Sequence, residues 1–186
     1  MNLSTHSLLQ CAHYIGNAMV IAYPTESMFG LGCHPSYKLA IMHLLSLKKR
    51  SIKKGFILVA ANYQQLIPWV ADEKLSLQQK KLMFSTWPGP VTWILPARNI
   101  TPYWLTGEFT TIAVRVSNHP SIIDLCLACN TALVSTSANI TTHPPCRYLT
   151  ELFEQFGHNF PVLSGEIGWQ THPSEMRSIF TGERIR

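Results

Sequence analysis

The chain has 186 residues, 46% hydrophobic and only 13% charged, with 15 Lys plus Arg against 10 Asp plus Glu and a net charge of +5. A soluble domain usually carries roughly 25% charged residues, so this chain is rich in core-forming residues, and its few charges lean towards an anionic partner such as nucleotide or nucleic acid. The length suits one domain over residues 1–186 that can bury a core without disulfides, and no apolar run approaches the ~20 residues of a membrane helix.

The N-terminal stretch lacks the basic n-region and long apolar h-region of a signal peptide. Thr5 is placed to cap a first helix, with Leu8, Leu9, Ala12 and Ile15 at helical spacing and Gly16 and Asn17 as its stop. The run MVIAYP, 19–24, predicts a short buried strand, and TESMFGLGCHP after it a loop rich in Gly and small polar residues. Ser36 is placed to cap a second helix, YKLAIMHLLSLKKR, whose final turn gathers Lys48, Lys49 and Arg50 where the helix dipole favours cations. FILVAA is a second buried strand; helices are expected from Asn62 to about Val70 and over 75–84. WPGP reads as a rigid turn into the strand VTWILPA. TIAVRV is a strand, NHPSIIDLCLACN a helix with Pro120 near its first turn, and TALVSTSAN a strand running into a polar loop. YLTELFEQFG is a helix ended by Gly157, and FPVLSGE and RSIF read as short closing strands. Alternating strands and helices predict an α/β fold: a twisted mixed sheet with flanking helices.

The five cysteines are odd in number and their spacing suggests no disulfide framework, which suits a reducing cytoplasm. Cys126 and Cys129 form a C-x-x-C on a helix without a second pair, so they read as buried thiols rather than zinc ligands. Neither a phosphate-binding P-loop nor a G-x-G-x-x-G follows a strand, and no zinc-protease or serine-hydrolase motif occurs. Acidic residues are too scarce for a metal cage built by protein alone.

Small hydroxyls and cations at strand ends remain, a set better suited to binding oxyanions than to attacking carbonyls. Four places carry them. Thr25 follows a strand directly in YPTESMFGLG, with Gly30 and Gly32 allowing close backbone approach, although the same pattern suits an ordinary strand-to-helix loop. Lys48 and Arg50, at i and i+2, cannot share one helix face, so one of them must leave the axis or lie past the helix end; a solvated helix end reads equally well. Arg115 sits inside the apolar strand TIAVRV, where it needs a partner: a structural carboxylate, or a ligand carboxylate or phosphate. Ser135, Ser137 and Asn139 alternate in VSTSAN and would face one side if the strand continued, or else form a Ser- and Asn-rich turn.

Taken in order, IAYPTESMFGLGC, LLSLKKR, KGFILVAANYQQL, WPGPVTWILPA, WLTG, AVRVSNHP, VSTSAN, PPCR and PSEMR cover nearly the whole chain. In this the chain resembles the YrdC-like threonylcarbamoyl-AMP synthases in their short bacterial form, whose signature is the K-x-R and S-x-N pair. The resemblance implies an α/β twisted sheet around a basic concave cleft. It also implies condensation of L-threonine, bicarbonate (or CO2) and ATP into L-threonylcarbamoyl-adenylate, with Mg²⁺ accompanying the ATP and pyrophosphate released. Downstream partner proteins would move the threonylcarbamoyl group onto adenosine 37 of tRNAs that read ANN codons, and RNA contact by the family is a further implication. By position, Lys48 and Arg50 would hold ATP phosphates as the catalytic cations, Ser137 and Asn139 would contact the nucleotide, and Thr111 would touch it. Thr25 would line a threonine pocket, Arg115 would anchor the threonine carboxylate with Ser135 nearby, and Ser174 would stand near the ligands.

The chain departs from that family at Ser51, where Pro often follows K-x-R, and at Thr141–Thr142, where Ser-Gly is common. Longer relatives carry a second domain, which this chain is not expected to include. An RNA-binding module without chemistry would need exposed aromatics among the cations, and Phe56 falls in a buried run. A carbamoyl-adenylate-forming domain of a hydrogenase maturation protein would be fused to zinc-finger and acylphosphatase-like parts.

Overall fold

The computed structural model describes residues 4–186. In chain order its elements are α1 (Leu8–Gly16), β1 (Ile21–Pro24), β2 (Phe29–Cys33), α2 (Lys38–Lys48), β3 (Ile57–Ala60), α3 (Leu77–Phe84), β4 (Val91–Pro96), α4 (Tyr103–Thr106), β5 (Thr111–Val116), α5 (Pro120–Ala128), β6 (Leu133–Ser137), α6 (Leu149–Phe156) and β7 (Glu175–Ser178). The strands make one sheet in the order β1-β2-β6-β3-β5-β4-β7, mixed because β3–β5 and β4–β7 run parallel and the other pairs antiparallel.

Strand side chains alternate, so register decides which residues share a face. One row crosses the sheet as Cys33, Val134, Leu58, Val114 and Trp93, each opposite the next. All five are fully buried in the larger core cluster, together with Ala40, Ile41 and Leu44 of α2 and Leu152 and Phe153 of α6. The row behind it, on the other face, reads Gly32, Ser135, Ile57, Ala113 and Ile94. This second face is covered only in part. Helices α1 and α5 pack Cys11, Ile15, Ile122 and Leu125 onto Ile21, Tyr23, Val59 and Leu133, and stop there.

The largest departure from expectation is β2. Residues 25–35 read as a loop because of their glycines, yet Phe29–Cys33 is a central strand paired on both sides. Its alternation was present: Phe29, Leu31 and Cys33 enter the larger core, and Gly30 and Gly32 face the other way. The glycines are needed because the Tyr23 ring lies against them. A Cβ on Gly32 would come within 2.4 Å of the Val134 carbonyl oxygen and 2.7 Å of the ring.

Smaller corrections concern caps and ends. Ser7, not Thr5, caps α1 in a capping box with Gln10, because its hydroxyl reaches the third amide of the helix. Tyr37, not Ser36, precedes α2, and no side chain caps that helix. The helix expected from Asn62 is a single 3-10 turn, Tyr63–Gln65, with the Asn62 side chain accepting from the Gln65 amide. The third helix starts at Leu77, capped by Ser76. FPVLSGE contributes only isolated bridges, from Leu163 to His6 and from Val162 to Ala22, and the closing strand is Glu175–Ser178 rather than RSIF. The strand before Asn139 ends at Ser137, so that asparagine belongs to the following turn.

Candidate active site

The part of the second face that α1 and α5 leave uncovered is the floor of a cavity of about 450 Å³, within the usual range of roughly 300–1,000 Å³ for small-molecule sites. Thr111, Ala113 and Arg115 of β5 project into it, beside Ile57 and Val59 of β3 and Ser135 and Ser137 of β6. Its rim is the turn 25–28, the loop 50–56, Phe109, and the segment 170–176. That segment hangs on the turn through the amides of Gly168 and Gln170, which donate to the carbonyls of Thr25 (2.8 Å) and Glu26 (2.9 Å).

The helix end sorts the two cations of K-x-R. α2 stops at Lys48, and Lys49 takes the left-handed conformation (φ 50°, ψ 46°), so Arg50 leaves the helix in a new direction. Arg50 lines the cavity. Its Nη2 donates to the Gly55 carbonyl at 2.9 Å, its guanidinium lies 5.3 Å from the Phe56 ring centroid, and its buried Nε has no partner among the described residues. Burial pulls it below the ordinary guanidinium value.

Lys48 goes the other way and is not among the cavity-lining residues. It is 3% exposed. Its Nζ donates to the Ser137 carbonyl (2.5 Å), the Asn139 carbonyl (2.7 Å) and Asn139 Oδ1 (3.2 Å). Burial, and then the nearby Arg50 charge, push it down to about 8. Ser137 Oγ donates to Asn139 Oδ1 at 2.7 Å, and Asn139 Nδ2 donates to the carbonyls of Ile140 and His143. Thr141 closes the knot, its amide and hydroxyl both donating to the Lys48 carbonyl. The lysine and the S-x-N turn therefore hold one another, and the product of that grip is the position of Ser137.

At the other end of the floor Arg115 forms a buried ion pair, Nη1 donating to Glu26 Oε1. Ser117 Oγ donates to the same oxygen at 2.7 Å and accepts from the His119 amide at 3.0 Å. Burial alone would raise the Glu26 carboxyl, but Arg115 and the Ser117 hydrogen bond outweigh it and hold it below the usual carboxylate range. Thr25 Oγ1 donates to the Met28 carbonyl at 2.6 Å, leaving its lone pairs for a ligand donor. Ser174 Oγ pairs with Thr92 Oγ1 at 3.0 Å.

Of the nine residues singled out in the sequence, seven line this one cavity: Thr25, Arg50, Thr111, Arg115, Ser135, Ser137 and Ser174. Lys48 and Asn139 stand behind its wall. Sequence reasoning missed Glu26, Lys54 and Arg186, which also line it. Glu26 had a signal, being the sole acidic residue in the first 71. Arg186 had none. It arrives through pairing of the last residues with β7, where Ile185 N donates to the Met176 carbonyl at 2.7 Å, and its Nη2 donates to the Ser174 carbonyl at 3.2 Å. Among the described residues the lining thus holds four cations, Arg50, Lys54, Arg115 and Arg186, against the single carboxylate of Glu26. No three His, Cys, Asp or Glu among them gather to hold a metal. Cys126 and Cys129 are free thiols, pushed by burial up to about 12 and about 11.

A family model named Sua5_yciO_yrdC and described as telomere recombination matches residues 13–182. The chain belongs to the Sua5–YciO–YrdC family. A threonylcarbamoyl-AMP synthase of Klebsiella pneumoniae is 50% identical over all of this chain and 97% of its own length. One of Buchnera aphidicola is 53% identical over 97% of this chain and 95% of its own. Among solved structures of this family, Sua5 of P. abyssi complexed with L-threonine superposes with a TM-score of 0.86 at 24% identity. That match covers 95% of this chain but 52% of Sua5, so the present chain spans about half of the longer protein, and the likeness establishes the shared fold. The mixed seven-stranded sheet with flanking helices is therefore the fold of the Sua5–YciO–YrdC family, as the sequence motifs implied.

Proposed function

We propose that this protein condenses L-threonine, bicarbonate or CO2, and ATP into threonylcarbamoyl-AMP and pyrophosphate. The observation that carries the proposal is the shared floor: Arg115 and Arg50, together with the hydroxyls of Thr111, Ser135 and Ser137, open into one cavity. The full-length relatives at 50% and 53% identity bear the name of that activity.

The chemistry asks for charge and alignment more than for a protein nucleophile. The threonine amine attacks CO2; an N–C bond forms, a carbon–oxygen π pair moves onto oxygen, and the nitrogen loses a proton to give a carbamate. A carbamate oxygen then attacks the α-phosphorus of ATP, and the bond to the β-phosphate oxygen breaks. Two anions must meet, so their repulsion has to be offset. Arg50 supplies a cation for the triphosphate, with Lys54 and Arg186 as further cations of the same lining, and a guanidinium can clamp two phosphate oxygens at once. ATP enters as its Mg²⁺ complex, the ion being carried by the phosphates rather than by a protein cage. Arg115 takes the carboxylate of threonine, and Thr25, Ser135 and Ser174 line the same end. Ser137 and Thr111 contact the nucleotide, while Lys48 and Asn139 act by fixing Ser137. Positioning of this kind can supply several kcal/mol of the barrier.

The product would feed partner proteins that transfer threonylcarbamoyl to adenosine 37 of tRNAs reading ANN codons, in the cytoplasm. No helix among the described residues is long and apolar enough to cross a membrane. The test is pyrophosphate release by the purified chain. Release that requires L-threonine, bicarbonate and ATP together, with threonylcarbamoyl-AMP found by mass spectrometry, is expected. Silence with all three present, combined with salt-sensitive tRNA binding, would overturn the synthase in favour of a binding module.

A further inference from the structure

Glu26 is the one carboxylate among the described cavity-lining residues, placed in a lining that otherwise gathers cations. Its chemistry is only half spent. Arg115 Nη1 and Ser117 Oγ both donate to Oε1, and Oε2 has no hydrogen-bond partner among the described residues. Arg115 is half spent in the same way. It uses Nη1 on Glu26, while among the described residues its Nη2 makes no hydrogen bond and its buried Nε has no partner. The pair therefore presents one negative and one positive edge, side by side, with no net charge of its own. An α-amino acid zwitterion has the matching pattern, a carboxylate and an ammonium on one carbon.

We propose that Glu26 Oε2 receives the α-amino group of the amino-acid substrate while Arg115 receives its carboxylate, so that Glu26 is a specificity-determining residue for α-amino acids. The proposal rests on the functional reading above and extends it from the carboxylate to the amine. Both partners are nearly dry, Glu26 at 9% and Arg115 at 5% exposure, so an unmatched charge brought between them would be costly. A ligand lacking the ammonium leaves Oε2 without a donor, and one lacking the carboxylate leaves Arg115 without an acceptor. The contact also survives the first chemical step, because a carbamate nitrogen keeps one N–H to donate to Oε2. Glu26, held ionised by Arg115 and Ser117, reads and aims the amine; the proton lost from nitrogen goes to solvent or bicarbonate.

The experiment compares two ligands by titration calorimetry on the full chain: L-threonine and (R)-3-hydroxybutyrate, which keeps the carboxylate, hydroxyl and methyl but lacks the amine. The wild type is expected to prefer L-threonine by at least about tenfold, the worth of one charge-assisted hydrogen bond. Glu26→Gln, which keeps an acceptor oxygen for Arg115 and Ser117, is expected to bring that ratio close to one by weakening L-threonine alone. If Glu26→Gln weakens both ligands equally and the ratio persists, Glu26 merely positions Arg115 and the proposal is overturned. A wild-type ratio near one overturns it without any variant, which covers the case where Glu26→Gln fails to fold. Should the folded wild type bind neither ligand, with or without an ATP analogue, the amino-acid reading of the whole cavity falls, and this proposal with it.

Discussion

The two faces of the sheet are made from the same strands and obey different rules. On one, Leu58, Val114, Val134 and Trp93 are fully buried in the larger core. On the other, Ile57, Ala113, Ser135 and Arg115 from neighbouring positions of the same strands line the cavity. The period of two lets a single strand hold the fold together with one set of alternate positions and line a cavity with the other. The exception is Arg115, where the apolar pattern of β5 breaks and a buried charge is paired with Glu26 from a distant turn.

Substitutions can break this division of labour. The largest effect is expected at the cavity-face residue that also carries a buried ion pair. Arg115→Ala leaves Glu26 buried without its partner, costing about 3–5 kcal/mol of stability, together with loss of threonine-dependent pyrophosphate release; urea denaturation and the release assay read the two losses separately. On the core face, Leu58→Ala should cost about 2–5 kcal/mol through the cavity it opens. The protein that remains folded should keep its activity, and a matching loss in specific activity would show that the two faces are not separable.

The cations of K-x-R sharpen the contrast within one motif. Arg50→Ala should slow catalysis on the order of 100-fold, as removal of an oxyanion donor does, with little change in melting temperature. Lys48→Met should instead cost about 1–3 kcal/mol, because the carbonyls of Ser137 and Asn139 are left without a donor. Activity should fall only as far as Ser137 shifts. Equal losses of stability in both variants would erase the distinction drawn between them. The smallest effect is a gain. Thr142 holds φ at 78°, a left-handed conformation that a β-branched residue rarely adopts. Thr142→Gly should therefore stabilise the protein by about 1 kcal/mol, measured as a raised melting temperature.

That last position shows what the sequence could and could not reveal. The departure of Thr141–Thr142 from Ser-Gly was visible in the letters, but its cost was not, since it depends on a backbone angle. Strands with strong β-branched runs, such as TIAVRV, were legible because their burial and their composition agree. β2 was not, because its glycines answer to the Tyr23 ring, a contact made across the sheet. The site was legible as a set of residue types and less so as a geometry. The i, i+2 spacing of Lys48 and Arg50 implied that they would part, and they do, at Lys49. Nothing local told which of them would face the cavity. Arg115 announced its need for a partner, but its choice of Glu26, 89 residues away along the chain, is a fact of topology. The same holds for Arg186, which reaches the site only because the last residues pair with β7.

The most direct test of the central claim fills the cavity from its floor. Ala113 stands on β5 between Thr111 and Arg115, facing the cavity with no role in the larger core. Ala113→Phe is expected to abolish calorimetric binding of both L-threonine and a non-hydrolysable ATP analogue while leaving the melting temperature within a few degrees of wild type. Undiminished binding of either ligand by that variant would contradict a single shared cavity on the open face of the sheet.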